Sequence, residues 1–265
     1  MTAPDAALET ASAFAPTLVC APACPDDAAR LREIDALHAR ILACRACHAA
    51  GYITGTHPVR HAWTPRQHTM IVGQAPGAQT EAKRYHFAGP GGLLLGRWLA
   101  TAGYDADHWR ELVYITSLTR CFPGKALPGK VLQGKAPGGK GDRKPSPAEL
   151  ALCRPFLESE LRLVQPRIVL AVGGMAIEHF LGKRPLHAVV GTLETVDGRL
   201  ILPLPHPSGV SRWLNDPEHQ HLVSRALRLL SDVRAEYGLD RQEDDANDAG
   251  TSPASPGLLP AGRDS

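Results

Sequence analysis

Four short apolar runs alternate with segments of helical periodicity along the chain, and this alternation predicts the fold. The apolar runs span residues 69–72, 112–118, 167–172 and 200–204. Apolar residues recur at helical spacing in 31–43, 93–102, 174–181 and 218–237. Fully apolar strands separated by helices are typical of a parallel sheet covered on both faces. We therefore expect an α/β fold of three layers, α/β/α, around a central, mainly parallel four-stranded sheet.

A further helix is predicted to begin at Ser146. Ser146 stands at the cap position, Pro147 in the first turn, and Glu149 three residues after the cap. This order is a capping box, in which the serine and the glutamate each bond the other's backbone N–H. Cys153 would then lie on this helix, two turns after its start.

Both ends of the chain lack the periodicity of packed elements. Residues 1–27 are rich in Ala and Pro, and residues 238–265 are first acidic and then rich in Ser, Pro and Gly. We expect two disordered tails around one folded domain at 28–237. Cys20 and Cys24 fall in the first tail, and we interpret them as free thiols.

No apolar run approaches the roughly 18 residues of a membrane span. The first 27 residues also contain no Lys or Arg, which a secretory signal would need. These two features lead us to expect a cytoplasmic protein without a membrane partner.

Positive charge is concentrated in one segment of the chain. The formal net charge of the 265 residues is only +2, but seven of the 29 Lys and Arg residues fall between 120 and 144. Within the loop 123–144, a Gly-Lys pair recurs every five residues and supplies Lys125, Lys130, Lys135 and Lys140. Glycine keeps such a loop flexible, and evenly spaced lysines can each meet a DNA phosphate. The alternative interpretation is a solubilising insertion of low complexity.

Four cysteines of the expected domain have neighbours typical of a metal site. Cys44 and Cys47 form a CxxC at the end of a predicted helix, Cys121 follows the second predicted strand, and Cys153 lies on the capped helix. In a cytosolic protein, ligands or buried thiols are more common than disulfides. Four thiolates suit an iron–sulfur cluster or a structural zinc ion, and spacing alone does not choose between them. Unconnected buried thiols are a third interpretation, whereas a redox pair is disfavoured because its CxxC should open a helix.

Three motifs lie where a parallel α/β sheet binds its ligands, at or near the carboxyl ends of strands. The first predicted strand ends in a Gly-Gln-Ala-Pro-Gly turn at 73–77, whose backbone can approach a ligand closely. The fourth is followed by His206 and Pro207. A histidine there can donate a hydrogen bond or a proton near neutral pH, or it can merely cap the sheet edge. Phe87 lies in a glycine-rich loop, where its ring could stack on a base or fill the core.

In their order along the chain, these motifs resemble the family 4 uracil-DNA glycosylases, which carry an iron–sulfur cluster. The family pattern runs from a CxxC through a GEAPG-like turn, a PFVG-like loop, a YIT strand with a Cys beyond it, a GNRxP stretch and a helix with the fourth Cys to a final HPS. This chain supplies Cys44 and Cys47, GQAPG at 73–77, HFAG at 86–89, YITSLTRC at 114–121, GDRKP at 141–145, Cys153, and HPS at 206–208. The resemblance implies a structural [4Fe-4S] cluster on Cys44, Cys47, Cys121 and Cys153.

The resemblance also implies a reaction, hydrolysis of the N-glycosidic bond of uracil, or of another deaminated base, in DNA. Such a base must leave the helical stack before it can react. Phe87 would stack on the extruded base, and His206 would donate a hydrogen bond to it as it departs. The turn formed by Gly73, Gln74, Ala75, Pro76 and Gly77 would hold the attacking water.

Contacts with the DNA duplex are implied for residues outside this pocket. Arg212 and Trp213 would fill the gap that the extruded base leaves, and Ser208 and Arg143 would bind the backbone together with the lysines of the loop. We expect the protein to act on this DNA as a monomer.

Two residues depart from the family 4 pattern. Gln74 stands where the family usually has Glu, and an amide can position a water but cannot remove its proton. Glu81 is the nearest acidic residue that could serve instead. Ser117 stands where the family usually has the Asn that reads the uracil edge, and the Ser-Arg-Trp at 211–213 is similar to family 5 enzymes. The alternatives are therefore a glycosylase-like iron–sulfur DNA-binding protein without catalysis, and a zinc-stabilised α/β protein unrelated to repair.

Overall fold

The computed structural model describes residues 27–125, 141–208 and 212–239. The strands are β1 (Thr69–Gly73), β2 (Tyr114–Ser117), β3 (Ile168–Val172), β4 (Glu194–Val196) and β5 (Arg199–Leu204). The helices are α1 (Asp27–Ala43), α2 (Ala46–Ala49), α3 (Ala78–Lys83), α4 (Pro90–Thr101), α5 (Trp109–Leu112), α6 (Pro147–Val164), α7 (Gly174–Leu181), α8 (Leu186–Val189) and α9 (Pro217–Tyr237). A 3-10 turn spans Arg212–Asn215. None of these helices is both long and apolar enough to cross a bilayer.

The strands form one sheet in the order β2-β1-β3-β5-β4. The first four run parallel to one another, as predicted, and β4 pairs antiparallel with β5 at the edge. The sheet therefore has five strands, and the expectation of four was wrong by this edge strand. Strand β4 has only three residues, each half-buried or exposed, so it lacks the apolar run that predicts the other strands. Asp197 and Gly198, both with positive φ, turn β4 into β5, and an Asp-Gly pair is a strong hairpin signal.

Two apolar cores, one on each face of the sheet, confirm the three-layer architecture. Alternate residues of β1 point to opposite faces: Ile71 belongs to the core beneath α4, α5 and α9, whereas Met70 and Val72 belong to the core beneath α1, α6 and α7. The strand residues are buried on both faces, as expected for a covered parallel sheet.

The start of α6 forms the predicted capping box. The backbone N–H of Glu149 donates to Ser146 Oγ at 3.3 Å, and the N–H of Ser146 donates to Glu149 Oε2 at 2.8 Å. The guanidinium of Arg143 donates to both oxygens of the same carboxylate, each at 2.7 Å. This end of α6 is therefore fixed to the chain that precedes it.

Several expectations concern residues outside the described ranges. The predicted tails fall almost entirely there, with Cys20 and Cys24, and only residue 27 and residues 238–239 are described. Most of the Gly-Lys loop, including Lys130, Lys135 and Lys140, also lies outside the described residues.

Candidate functional site

The carboxyl ends of β1 and β2 meet at one edge of the sheet and form one wall of a site. The backbone N–H of Leu118 donates to the carbonyl of Gly73 at 2.9 Å, which joins the two strand ends. A methyl group on Gly73 would lie 3.6 Å from Cζ of Phe87 and 3.9 Å from Cβ of Ser117. The Gly-Gln-Ala-Pro-Gly turn, the aromatic ring and the end of β2 are therefore neighbours.

Phe87 is held in a strained backbone conformation at this edge. Its φ of 54° lies in the left-handed region, which is rare for a residue with a large side chain. Arg110 fixes the loop by donating to the carbonyl oxygens of Phe87 at 2.8 Å and His86 at 3.3 Å. The ring makes an edge contact with Trp109, with centroids 6.4 Å apart. The protein thus holds one aromatic ring rigidly beside the turn after β1.

Glycine at position 92 makes this loop possible. A Cβ there would lie 1.8 Å from the carbonyl oxygen of Phe87, so no other residue fits without moving the loop. Gly92 lies in the first turn of α4, which therefore packs directly against the backbone that carries the ring.

His206 follows β5 at the same edge. A Cβ on Gly173, the residue after β3, would lie 3.5 Å from Cβ and Cδ2 of His206. The N–H of Ser208 donates to the carbonyl of His206 at 2.8 Å, which closes a tight turn. His206 is exposed as a whole, but the surrounding protein removes part of its imidazole from water, and this desolvation lowers the pKa of the ring. The positive charge of Lys144 is the second cause. The ring is therefore neutral at neutral pH and has one N–H to donate.

The residues of the turn after β1 differ in burial. Pro76 is buried, whereas Gln74, Ala75 and Gly77 are half-buried. The side-chain amide of Gln74 makes no hydrogen bond with the part of the chain that the structure describes, so it is available to a water or a ligand. Behind the turn, Asp142 Oδ2 accepts a hydrogen bond from the N–H of Ala78 at 3.1 Å.

All four cysteines of the expected metal site line one pocket. Cys44 follows α1, Cys47 lies in α2, Cys121 follows β2, and Cys153 lies in α6. Cys153 is buried, the other three are half-buried, and none of the four is in a disulfide. The fold therefore brings together four thiols that are up to about a hundred residues apart in the chain.

The electrostatics of this pocket disfavour free thiolates. Burial first, and the neighbouring cysteines second, raise the pKa of Cys47 to about 11 and that of Cys121 to about 12. Burial likewise raises the pKa of Cys153. A bound cation would reverse this effect, since metal coordination deprotonates thiols. Within the described ranges, no three His, Cys, Asp or Glu side chains converge closely enough to hold a single ion.

Hydrogen-bond donors also surround the pocket. The backbone N–H of Arg120 donates to Sγ of Cys153 at 3.2 Å. Oγ1 of Thr119 and Nε of Arg120 are buried and have no partner in the described structure, and both residues line the pocket. Orphaned buried donors call for an acceptor. The four thiols that line this pocket thus fit a group bound through sulfur.

Comparison with known proteins identifies the family. A family model described as the uracil DNA glycosylase superfamily matches residues 60–230, which is more than half of the chain. The chain belongs to the uracil DNA glycosylase superfamily. The matched range includes the turn after β1, Phe87, Cys121, Cys153 and His206.

Relatives within the superfamily support the family 4 resemblance. A type-4 uracil-DNA glycosylase of Archaeoglobus fulgidus is 27% identical over 56% of this chain and 63% of its own length. Another of Thermotoga maritima is 27% identical over 65% of this chain and 80% of its own length. A third, of Sulfurisphaera tokodaii, is 22% identical over 57% of this chain and 59% of its own length. The chain thus spans about three fifths of the length of two of these three relatives.

Ser117 and Glu81, both expected to act on the substrate, form hydrogen bonds within the protein instead. The hydroxyl of Ser117 donates to the carbonyl of Thr119 at 2.7 Å, so its proton is used within its own loop. Glu81 accepts from the N–H of His57 at 3.0 Å and pairs with Arg84 at 3.5 Å.

The residues expected on DNA divide into free and engaged groups. Arg212 is exposed, and Trp213 is half-buried and stacks on His219, with ring centroids 4.0 Å apart. Lys125 pairs with Asp142 at 2.7 Å but remains largely exposed. Arg143 is bound to Glu149 and to the carbonyl of Tyr52 at 2.9 Å, so its contacts are structural.

Sequence reasoning missed a buried ion pair between Arg120 and Glu160. Their side chains are 2% exposed and lie 2.5 Å apart. A signal was present, because Glu160 falls on the apolar face of α6 with Cys153 and Leu157. A charged residue at such a position needs a buried partner.

Proposed function

We propose that the chain hydrolyses the N-glycosidic bond of uracil, or of another deaminated base, in DNA, and that its four pocket cysteines bind a structural [4Fe-4S] cluster. The observation that carries the proposal is the convergence of Phe87, the turn at 73–77 and the turn at His206 on one edge of the sheet. All of these residues belong to one chain, so a monomer suffices.

Phe87 and His206 would act on the base itself. The fixed ring of Phe87 offers a stacking surface for an extruded base, at a worth of about 1–3 kcal/mol. The neutral imidazole of His206 would donate its N–H to a carbonyl oxygen that gains charge as the glycosidic bond breaks. A preorganised donor of this kind is worth about 3–4 kcal/mol, or about 10²–10³ in rate.

Gln74 would orient the attacking water without deprotonating it. Its half-buried amide has no partner among the described residues, which leaves both its donor and acceptor atoms for a water. Glu81 is a weaker candidate for a base because its carboxylate already binds His57 and Arg84. The reaction therefore depends mainly on stabilising the departing base.

The proposed cluster would be held by Cys44, Cys47, Cys121 and Cys153. The cluster would link the N-terminal helices α1 and α2 to the end of β2 and to α6. It would not take part in the reaction of the base. Four thiols that line one pocket support a sulfur-ligated metal centre, and the similarity to type-4 relatives favours a cluster over a single zinc ion. Colour separates the two, since an iron–sulfur protein absorbs in the visible range and a zinc protein does not.

Arg212 and Trp213 would contact the duplex beside the extruded base, together with Ser208 and the lysines of the Gly-Lys loop. Trp213 would have to leave its stack on His219, or use the outer ring face, to enter the gap. Arg143 is proposed to hold the start of α6 and to reach a phosphate only with its remaining donors.

The decisive experiment is single-turnover release of uracil from a G·U duplex, with DNA binding measured separately. We expect His206→Ala to slow release by about 10²–10³, Gln74→Ala to slow it less, and Glu81→Ala least. A Glu81→Ala enzyme that binds DNA but is the slowest of the three would make Glu81 the base.

Iron analysis tests the cluster. Cys121→Ala should lose iron and stability together, because site formation and folding are coupled. Cys20→Ala is the matched control and should keep both. Full iron content in Cys121→Ala would refute the ligand assignment.

The replacement of a glutamate by Gln74 favours one second candidate, a DNA-binding protein that does not cleave. The same assay distinguishes it. Binding of uracil-containing DNA with no release of any deaminated base would favour this candidate over the enzyme.

A further inference from the structure

We propose that Arg120 is a positioning residue that couples the four-cysteine pocket to the substrate end of β2. The inference rests on the proposed function and adds a residue to that site. Arg120 lies between Ser117, which ends β2, and Cys121, which lines the pocket. Its side chain is almost completely buried.

The main chain of Arg120 belongs to the cysteine side. Its N–H donates to Sγ of Cys153 at 3.2 Å, and its carbonyl accepts from the N–H of Val59 at 2.8 Å. A change in the position of the Cys153 sulfur therefore acts directly on the backbone of Arg120.

The side chain of the same residue belongs to the substrate side. Its guanidinium donates through Nη1 to the carbonyl of Ser117 and through Nη2 to Glu160. Ser117 lies beside Gly73 and shares this edge of the sheet with the ring of Phe87. One residue thus bonds a cysteine sulfur with its backbone and the end of a pocket strand with its side chain.

Glu160 holds the guanidinium of Arg120 in one position. Its carboxylate accepts from Tyr114 Oη at 3.1 Å, Thr116 Oγ1 at 2.7 Å and Arg120 Nη2 at 2.5 Å. Tyr114 Oη is in turn 3.0 Å from Nε2 of His38. A buried carboxylate with three donors is costly to disturb, because removal of a donor leaves charge unpaired in a medium of low dielectric. Glu160 and Cys153 also share α6, so the network moves with the helix that carries the sulfur.

Order in the cysteine pocket and order at the end of β2 should therefore depend on each other. A cluster bound at the cysteines would fix the backbone of Arg120, and the guanidinium would transmit this order to the carbonyl of Ser117 and to the strand pair beside it. Loss of either part should loosen the end of β2 while the rest of the sheet stays intact.

The test compares Arg120→Lys, Arg120→Met and Glu160→Gln with Arg30→Met. Arg30 is a matched control because it is a largely buried arginine that donates to the carbonyls of Leu163 and Val164, the last two residues of α6, at 3.0–3.2 Å. Each full-length protein is assayed for visible absorption, DNA affinity, single-turnover rate and hydrogen exchange of the Leu118 amide. This amide reports on the strand ends, because it donates to the carbonyl of Gly73.

We expect Arg120→Met to exchange the Leu118 amide faster, to alter the visible spectrum, and to slow base release by about tenfold or more at unchanged DNA affinity. Arg120→Lys should recover part of each effect, since it keeps the charge. Arg30→Met should lower thermal stability alone. If Arg120→Met does not fold, Glu160→Gln, which keeps the side-chain shape, takes its place.

Exchange at Leu118 that matches Arg30→Met, with an unchanged spectrum, would overturn the coupling and leave Arg120 as a structural residue. Wild-type protein treated with a chelator gives an independent reading, since removal of iron should speed exchange at Leu118. A wild type that releases no base would refute the proposed activity, but the exchange comparison would still decide whether Arg120 couples the two sites.

Discussion

The contact between α4 and the turn at His206 offers a sharp test of the catalytic geometry. Gly91 lies in the first turn of α4 and faces the backbone of Pro207. A methyl group at position 91 would lie 2.8 Å from the carbonyl oxygen of Pro207, a distance that real Cβ atoms essentially never show. The perturbation Gly91→Ala therefore pushes on the residue that follows His206 without changing any group proposed to touch the substrate.

The size of the displacement follows from the contact. Reaching an ordinary separation of 3.4 Å from 2.8 Å requires a movement of about 0.6 Å. His206 cannot absorb this movement freely, because it packs on Gly173 and its carbonyl accepts from Ser208. A misplacement of about 1 Å at a catalytic group costs about 10²-fold in rate. We therefore expect Gly91→Ala to slow single-turnover release by about tenfold or more.

Stability should respond differently from rate. Alanine is favoured over glycine in a helix by about 1 kcal/mol, which offsets part of the cost of the shifted contact. Thr101→Ala, at the exposed far end of α4, is the control for helix propensity and should leave the rate unchanged. The assay is single-turnover release from a G·U duplex, with thermal denaturation of the same samples. A wild-type rate in Gly91→Ala would refute the view that this contact sets the position of His206.

Three further predictions concern pH, helix capping and DNA binding. Burial lowers the pKa of His38 and His61 to about 4 and that of His86 to about 3, so below pH 6.5 the unfolded chain binds protons that the folded chain does not. The free energy of unfolding should therefore fall between pH 6.5 and 4, by up to about 1.4 kcal/mol for each pH unit and for each of these histidines. Equal urea midpoints at pH 7 and pH 5 would contradict this prediction. Ser146→Ala should cost about 1 kcal/mol by removing the cap of α6, seen as a lower urea midpoint at unchanged slope. Replacing the loop lysines by Ala should flatten the plot of log K against log salt by about 0.9 for each phosphate that is no longer bound, and an unchanged slope would favour a solubilising insertion; the lysines are Lys125, Lys130, Lys135 and Lys140.

The parallel strands, though not their order in the sheet, could be predicted from the sequence because each one rests on a local signal. Each parallel strand is a run of residues buried on both faces, and a run of this kind is visible without knowledge of its neighbours. The capping box of α6 is equally local, since Ser146 and Glu149 are three residues apart. Strand β4 escaped because its three residues have no apolar run, although the Asp197-Gly198 turn beside it was a readable signal.

The positions of site residues were predictable for the same reason. Motifs that follow parallel strands must meet at one edge of the sheet, so the turn at 73–77 and His206 had to lie there once the strands were correct. The cysteines required more, because Cys44 and Cys47 do not follow strands. Their approach to Cys121 and Cys153 depends on α1 packing across the sheet beside α6, which periodicity indicates but does not orient.

What a polar side chain binds depends on contacts that no local pattern contains. Arg143 was expected on DNA, but its guanidinium reaches Glu149 and the carbonyl of Tyr52, 91 residues away. Arg120 was counted only as one of the basic residues of this segment, but its guanidinium meets Glu160 across 40 residues. In both cases an arginine in a basic, motif-rich segment satisfies a buried carboxylate, because an unpaired charge in the interior costs far more than the absence of one phosphate interaction at the surface. The number of basic residues in such a segment therefore overstates the number that can bind DNA. The Gly-Lys repeat differs from these arginines at the one lysine that the structure describes. Lys125 pairs with Asp142 but stays largely exposed, so it remains accessible to a phosphate.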